Sequence, residues 1–413
     1  MSTTNTRVHT SIIFALAFVL RFGLLQFTNV PDALVHRVEL STPITSFKRA
    51  LEGVFLYTNN QDPYDGGVFH QAPLVLFVFK ALGQPLVWIN ALYASVDVLS
   101  GMCLLTIHNT QKLQLEDLKM GPIAVISIFL FNPYTLATSL ARSTIVFTNL
   151  AIFFALASAQ SNRHKASMVA LALAVYLSLY PILLFPPVMM LCQAHGTSRF
   201  SSLLVYFFGA LGLFLYGSYV FMQSPKYLAS TYGVILLVPD LTPNVGLWWY
   251  FFIEMFDPFR NFFLSVFQLN LLIYVAPLCI KLPKHPLFII TTLLGLTCIF
   301  KSYPSVGDLA LYVSLLPLQM HYTPRKNVLS WTNAVLRYSF IAIAVTLYCS
   351  VLGPTFYHLW IYAGSGNANF FYAITLVYNL GLTLFVTDWL FAVLRRDWEV
   401  TRPDMKGREV VQM

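Results

Sequence analysis

Apolar runs long enough to cross a bilayer recur along the whole of this chain, with almost nothing between them, and that pattern decides its class before any motif is considered. About 20 apolar residues span a hydrocarbon core as a helix. Charges and turn residues delimit twelve candidate runs: 11–28, 91–108, 121–141, 146–160, 166–180, 182–194, 201–222, 262–280, 286–300, 308–320, 330–352 and 371–394. Hydrophobic residues make up 57% of the chain and charged residues only 10%, against roughly 25% charged in soluble domains. Such a chain cannot hide its side chains in a water-soluble globule. The expected architecture is an all-α polytopic membrane protein of about twelve transmembrane helices, with one membrane domain over 1–413. The 286–320 region also reads as one span plus a re-entrant hairpin. No soluble domain, repeat or low-complexity linker interrupts the pattern.

The first run holds Arg21 and Gln26 and lacks a clear small-residue cleavage site, so it reads as a signal anchor and first membrane helix. Five cysteines (Cys103, Cys192, Cys279, Cys298, Cys349) are scattered singly, with no C-x-x-C or Cys/His spacing. Neither a structural disulfide nor a metal site is expected. A net charge of +8 suggests nucleic acid in a soluble protein; in a membrane protein it raises the question of which side it faces.

Basic residues concentrate on the cytosolic side of a membrane. With the N-terminus in the cytosol, cytosolic segments receive Arg7, Lys112, Lys119, Arg163, Lys165, Arg199, Lys281, Lys284, Arg325, Lys326, Arg395 and Arg396, and the 395–413 tail adds Arg402, Lys406 and Arg408. The lumenal side receives Arg37, Lys48, Arg49, Lys80, Arg142, Lys226, Arg260 and Lys301, spread over longer loops. Both termini are therefore expected in the cytosol. Three long segments, 29–90, 223–261 and 353–370, fall on the lumenal side, where function is expected to lie on loops held by a rigid scaffold.

In the first of these, SFKRALEGVFLY (46–57) is amphipathic: Phe47, Ala50, Leu51, Val54 and Phe55 share one face, and Lys48, Arg49 and Glu52 the other. It reads as a helix on the membrane surface. Asp62 and Asp65 sit in a Pro/Gly-rich turn cluster; they are either turn residues or a carboxylate pair for metal or general-base work. In the second segment, Pro239, Pro243 and Gly246 forbid a plain helix, and the Trp248–Trp249–Tyr250 run suits the headgroup zone. Non-helical backbone at membrane depth must pack on protein or line a wet cavity, so this segment is expected to cap one, with Asp240, Asn244 and Glu254 as its polar groups.

The motif IFKSYPSVGDLALY (299–312) interrupts an apolar stretch. Lys301 and Asp308 are costly at membrane depth unless paired or wet. The motif is either a loop joining two short spans or a set (Lys301, Ser302, Tyr303, Asp308) lining a polar cavity that meets a lipid headgroup. In the third segment Gly364, Ser365, Gly366, Asn367 and Asn369 form a polar island between aromatic runs; asparagine offers donors and acceptors to sugar hydroxyls. Within the spans, Arg21 and Arg337 are expected to snorkel or pair, with Asp97 one candidate partner for Arg21, while Asp388 lies near the last cytosolic turn. No hydrolase, zinc-protease, P-loop or dinucleotide motif occurs.

VPDLTPNVGLWWYFFIEMF (238–256), IFKSYPSVGDLALY (299–312) and HLWIYAGSGNANFFYAIT (358–375), together with the stretches at 37–53, 63–74, 131–135 and 178–181, resemble the U-subunit family of the glycosylphosphatidylinositol (GPI) transamidase. The resemblance runs from the first span to Arg396. It implies an endoplasmic reticulum membrane complex that removes a C-terminal signal and joins the new carboxyl end to the amine of a GPI lipid. It also implies that a cysteine-protease-like partner subunit carries the nucleophile, and that no cofactor or nucleic acid is involved. The U subunit is similar to the membrane core of lumenal mannosyltransferases that use a dolichol-linked sugar. It is expected to bind or present the GPI lipid and to hold partner subunits among membrane lipids. Those transferases carry an acidic pair soon after the first span; here the corresponding stretch is Arg37-Val38-Glu39. The expected site is then Asn367 and Asn369 on the glycan, Lys301, Ser302, Tyr303 and Asp308 at the headgroup, and Asp240, Asn244 and Trp249 as its gate. An active mannosyltransferase using Asp62 or Asp65 is the alternative. A transporter would show inverted repeats, and no internal symmetry is visible.

Overall fold

A computed structural model describes residues 2–83, 85–114, 120–194, 199–322 and 336–405. Lys119, Arg325, Lys326, Lys406 and Arg408, used above to orient the chain, lie outside the described residues, as does the side chain of Lys112. Every regular element among the described residues is helical. Six helices are long and apolar enough to cross a membrane: Arg7–Phe27, Val87–Gln111, Phe200–Met222, Asp257–Lys281, Ser339–Ile361 and Ala368–Thr401. The pair Pro122–Leu130 and Pro133–Leu140, bent by 45°, makes a seventh if it is one span. Its bend has a local cause. The Asn132 side chain accepts from Tyr134 N at 2.9 Å and restarts the helix with Pro133 in its first turn.

Each of the twelve expected runs overlaps a helix, but five of the apolar helices are short: Pro73–Leu82, Ile145–Gln160, His164–Leu177, Tyr180–Ala194 and Pro286–Phe300. At about 1.5 Å per residue, 16 residues reach about 24 Å, less than the ~30 Å of a hydrocarbon core. Their burial differs: Leu74, Phe77, Phe154 and Val169 on three of them are exposed. In Pro286–Phe300 every residue except Leu296 and Phe300 is buried.

The chain divides into two compact units, Met1–Pro317 and Leu318–Met413. The first is fastened inside by charge. Arg21 Nε donates to Asp97 Oδ2 at 2.6 Å and Nη2 to the Leu130 carbonyl at 2.6 Å, with both side chains buried. One guanidinium thus ties the first span to the second and to the bent pair. The amphipathic helix forms as Phe47–Thr58 and buries Phe47, Ala50 and Gly53. Phe55, expected on the same face, is 66% exposed. Arg142, expected on a lumenal loop, is instead buried and donates to Asn90 Oδ1 at 2.9 Å.

In the second unit, helices Ser339–Ile361 and Ala368–Thr401 pack closely where Gly381 faces Thr346 and the Ala342 carbonyl, as small residues allow between membrane helices. Gly353 and Pro354, read in sequence as the end of a span, lie inside the first of these helices. Membrane helices tolerate proline because neighbouring groups re-satisfy the freed carbonyl. The connecting segment shrinks to 362–367. Asp388, which the sequence left without a role, is buried. It accepts the backbone N–H groups of Arg337, Tyr338 and Ser339 at 2.8–3.1 Å, and the Ser339 hydroxyl at 2.8 Å. A carboxylate at a helix N-terminus satisfies donors that have no partner within the helix.

Candidate functional site

The 299–312 motif is where the first unit gathers its polar groups. Helix Pro286–Phe300 ends, Pro304 stops the backbone from continuing, and Val306–Gln319 begins a new helix. Lys301 Nζ donates to Asp308 Oδ1 at 2.6 Å, and the two side chains are 4% and 13% exposed. Asp308 Oδ2 also accepts from Ser305 N at 2.8 Å. The pair therefore closes the break on itself, which is how two charges persist among apolar helices. Lys301 borders a small polar cavity of about 20 Å³, with Thr45, Gln71, Thr144, Thr148 and Ser178 around it. That is room for about one water, far less than a headgroup.

Two tyrosines carry the network outward. Tyr180 accepts from Ser302 N at 3.0 Å and donates to Ser302 Oγ at 3.1 Å. Tyr303 donates to the Asp240 carbonyl at 2.8 Å, linking the motif to the 238–249 segment. Asp240 in turn binds Arg49 at 2.7 Å. Burial opposes its charge, but the Thr242 hydroxyl and amide and the Arg49 guanidinium outweigh it and hold the carboxyl below its ordinary range. Asn244 is fully buried; its Oδ1 accepts from Gly246 N at 2.8 Å and its Nδ2 donates to the Thr242 carbonyl at 3.2 Å. A Cβ on Gly246 would lie 2.6 Å from the Pro304 ring, so glycine is needed for the two segments to touch. Trp249 is buried beside Trp248, whose indole donates to the Phe300 carbonyl at 2.9 Å.

Lys301, Ser302, Tyr303, Asp308, Asp240 and Asn244 thus come together in one hydrogen-bonded assembly, with Trp249 buried in the adjoining segment. Asn367 and Asn369 belong to the second unit and are both exposed. Asn367 caps helix Ala368–Thr401, accepting from Phe370 N at 3.2 Å, and exposed Tyr362 and Phe370 flank the pair.

Three participants escaped the sequence reading. Arg49 sits on the polar face of an amphipathic helix, where solvent or headgroups were the expected neighbours. Tyr180 lies in the 178–181 stretch that carries the resemblance, but was given no role there. Glu39 is 6% exposed, and neither carboxylate oxygen has a hydrogen-bond partner among the described residues. Burial pushes its carboxyl up, against the opposing effects of its own backbone N–H and of Arg37. Its backbone carbonyl accepts from Val306 N at 2.9 Å and so pins the first long segment to the motif.

A carboxyl raised in the fold contributes stability that is complete below its unfolded value near 4.5 and is lost as pH rises through the folded value. Glu39→Gln removes this titration. The variant is expected to gain on the parent in stability as pH rises above about 4.5, by about 1.4 kcal/mol for each tenfold change in acidity that the fold imposes, read as a rising difference in thermal midpoint. Equal midpoints across that range would contradict the assignment.

Asp62 and Asp65 form a surface turn. Asp62 Oδ1 accepts from Tyr64 N at 3.0 Å, and Lys226 reaches Asp65 at 2.7 Å and Asp62 at 3.7 Å. No group of three His, Cys, Asp or Glu side chains assembles among the described residues. The arrangement offers hydrogen-bonding and exchangeable ion pairs suited to holding a polar ligand.

The family model described as GPI transamidase subunit PIG-U matches residues 15–378. The chain is 35% identical over 426 residues to the GPI-anchor transamidase component PIGU of Homo sapiens, covering 94% of each chain. It is also 35% identical over 408 residues to the GPI transamidase component GAB1 homolog of Schizosaccharomyces pombe, covering 97% of each. With the GPI transamidase component GAB1 of Saccharomyces cerevisiae it shares 35% over 382 residues, covering 92% of this chain and 93% of that one. The chain belongs to the PIG-U family of GPI transamidase subunits.

Proposed function

We propose that this chain is the non-catalytic subunit of a GPI transamidase that binds the GPI lipid and holds partner subunits, among them a cysteine-protease-like subunit that supplies the nucleophile. Its place is the endoplasmic reticulum membrane, which it crosses about twelve times as one membrane domain with both termini cytosolic, on a core like that of the lumenal mannosyltransferases. The segments 29–90, 223–261 and 353–370 face the lumen.

The observation that carries this reading is the near full-length match to transamidase components. The geometry supports a binding role: the site's acidic groups, Asp240 and Asp308, are each held by a cation and a local turn rather than aligned with a nucleophile. The exposed asparagines Asn367 and Asn369 beside exposed aromatic rings suit a glycan at the headgroup level. The partly exposed Arg49 suits phosphate by exchange of Asp240, and Lys301 reaches one only when the 301–308 break opens. The transferase alternative rested on Asp62 and Asp65, and their engagement with Lys226 favours a turn.

Depletion of the chain in cells labelled with radioactive mannose tests the reading. Complete GPI lipid is expected to accumulate beside uncleaved proprotein. Accumulation of lipid lacking a mannose would instead identify a sugar transferase.

A further inference from the structure

A groove of about 610 Å³ runs along the first unit, sharing Val75 and Leu177 with the small cavity beside Lys301. One wall is a single face of helix Ile145–Gln160, extended past its end: Phe147, Leu150, Ala151, Phe154, Ala157, Ser158 and Ser161 recur at helical spacing. The facing wall is Leu99, Met102, Cys103 and Thr106 of the 87–111 span. The lining is apolar over most of its length, and Leu99, Met102 and Phe154 keep 43–47% of their surface exposed. Its character changes at one end, where Thr106, Ser158, Ser161 and the exposed Arg163 converge. No described lining residue is acidic.

Apolar walls at membrane depth favour hydrocarbon, and a cation with hydroxyls at one end favours an anion there. Pockets of roughly 300–1,000 Å³ hold a small amphipathic molecule, whereas a helix is about 10–12 Å across with its side chains. The volume and the one-ended charge together favour lipid over a partner helix.

We propose that this groove seats one anionic phospholipid, with an acyl chain along the Phe147-to-Ser161 face and its phosphate on Arg163 and Ser161. Phosphatidylinositol is also the lipid end of a GPI anchor, so the Arg163 variant, at a residue given no part in GPI recognition, is what separates the two readings.

The test uses the full chain taken from vesicles of phosphatidylcholine and phosphatidylinositol in equal amounts, with retained lipid weighed by native mass spectrometry. The parent chain is expected to retain one phosphatidylinositol in preference to phosphatidylcholine. Arg163→Gln, at an exposed position that does not threaten folding, lowers that retention about tenfold, the loss of roughly one charge-assisted hydrogen bond. Leu99→Trp narrows the groove and releases lipid of either headgroup. Equal retention of the two lipids by the parent, or undiminished phosphatidylinositol on Arg163→Gln, overturns the proposal. So does a photoreactive group at position 99 that captures a protein helix rather than lipid in the intact complex. Normal GPI attachment by Arg163→Gln would leave the GPI reading untouched while the retention assay decides this one.

Discussion

Lys301→Met is expected to cost about 3–5 kcal/mol, enough to remove most folded protein from the membrane, because it strands the largely buried Asp308 carboxylate without its cation. The double variant Lys301→Met/Asp308→Leu removes both charges. It is expected to recover most of that loss, since an apolar pair of similar volume replaces an ion pair at little net cost. Thermal midpoints in detergent, followed by fluorescence-detected size exclusion, separate the two. The double variant also separates stability from function: if Lys301 exchanges Asp308 for a phosphate, the refolded double variant still attaches GPI poorly. A double variant as unstable as the single one would show that the break at 301–308 depends on more than this pair.

The second large effect lies in the spans. Arg21→Met leaves Asp97, 4% exposed, without its cation and frees the Leu130 carbonyl. A loss of about 3–5 kcal/mol is expected. Asp97→Leu alone should be milder, because Arg21 keeps carbonyl partners at Leu130 and Ala17. The order of thermal midpoints should be parent, Asp97→Leu, then Arg21→Met; the reverse order would contradict the role given to Asp97.

What the sequence made legible follows from how interactions are spaced along it. A charge inside an apolar run is visible at once, and Arg21 and Asp97 lie in adjacent spans, so their pairing was foreseeable. Lys301 and Asp308 were legible for the same reason, within one motif. Arg49 and Asp240 are 191 positions apart, and Arg49 sits where any surface helix carries a cation. Asp388 caps a helix that begins 49 positions before it, which no local pattern announces. Helix limits failed where lipid or protein overrides local preference, as at Gly353 and Pro354. The difference between interior helices and lipid-facing spans was hidden because both are apolar throughout. The site residues were recognised by resemblance and by cost at membrane depth. That six of them form one network required the fold.

The central claim is that the chain holds the GPI lipid through its polar segments. Its most direct test is to isolate the intact complex from cells labelled with radioactive mannose and count the complete GPI lipid that stays bound. Asn367→Ser/Asn369→Ala keeps a capping oxygen at 367 and should leave assembly and protein level unchanged while lowering bound lipid about tenfold, the loss of about 1.4 kcal/mol of hydrogen bonding. Undiminished lipid on the assembled variant complex would contradict the account.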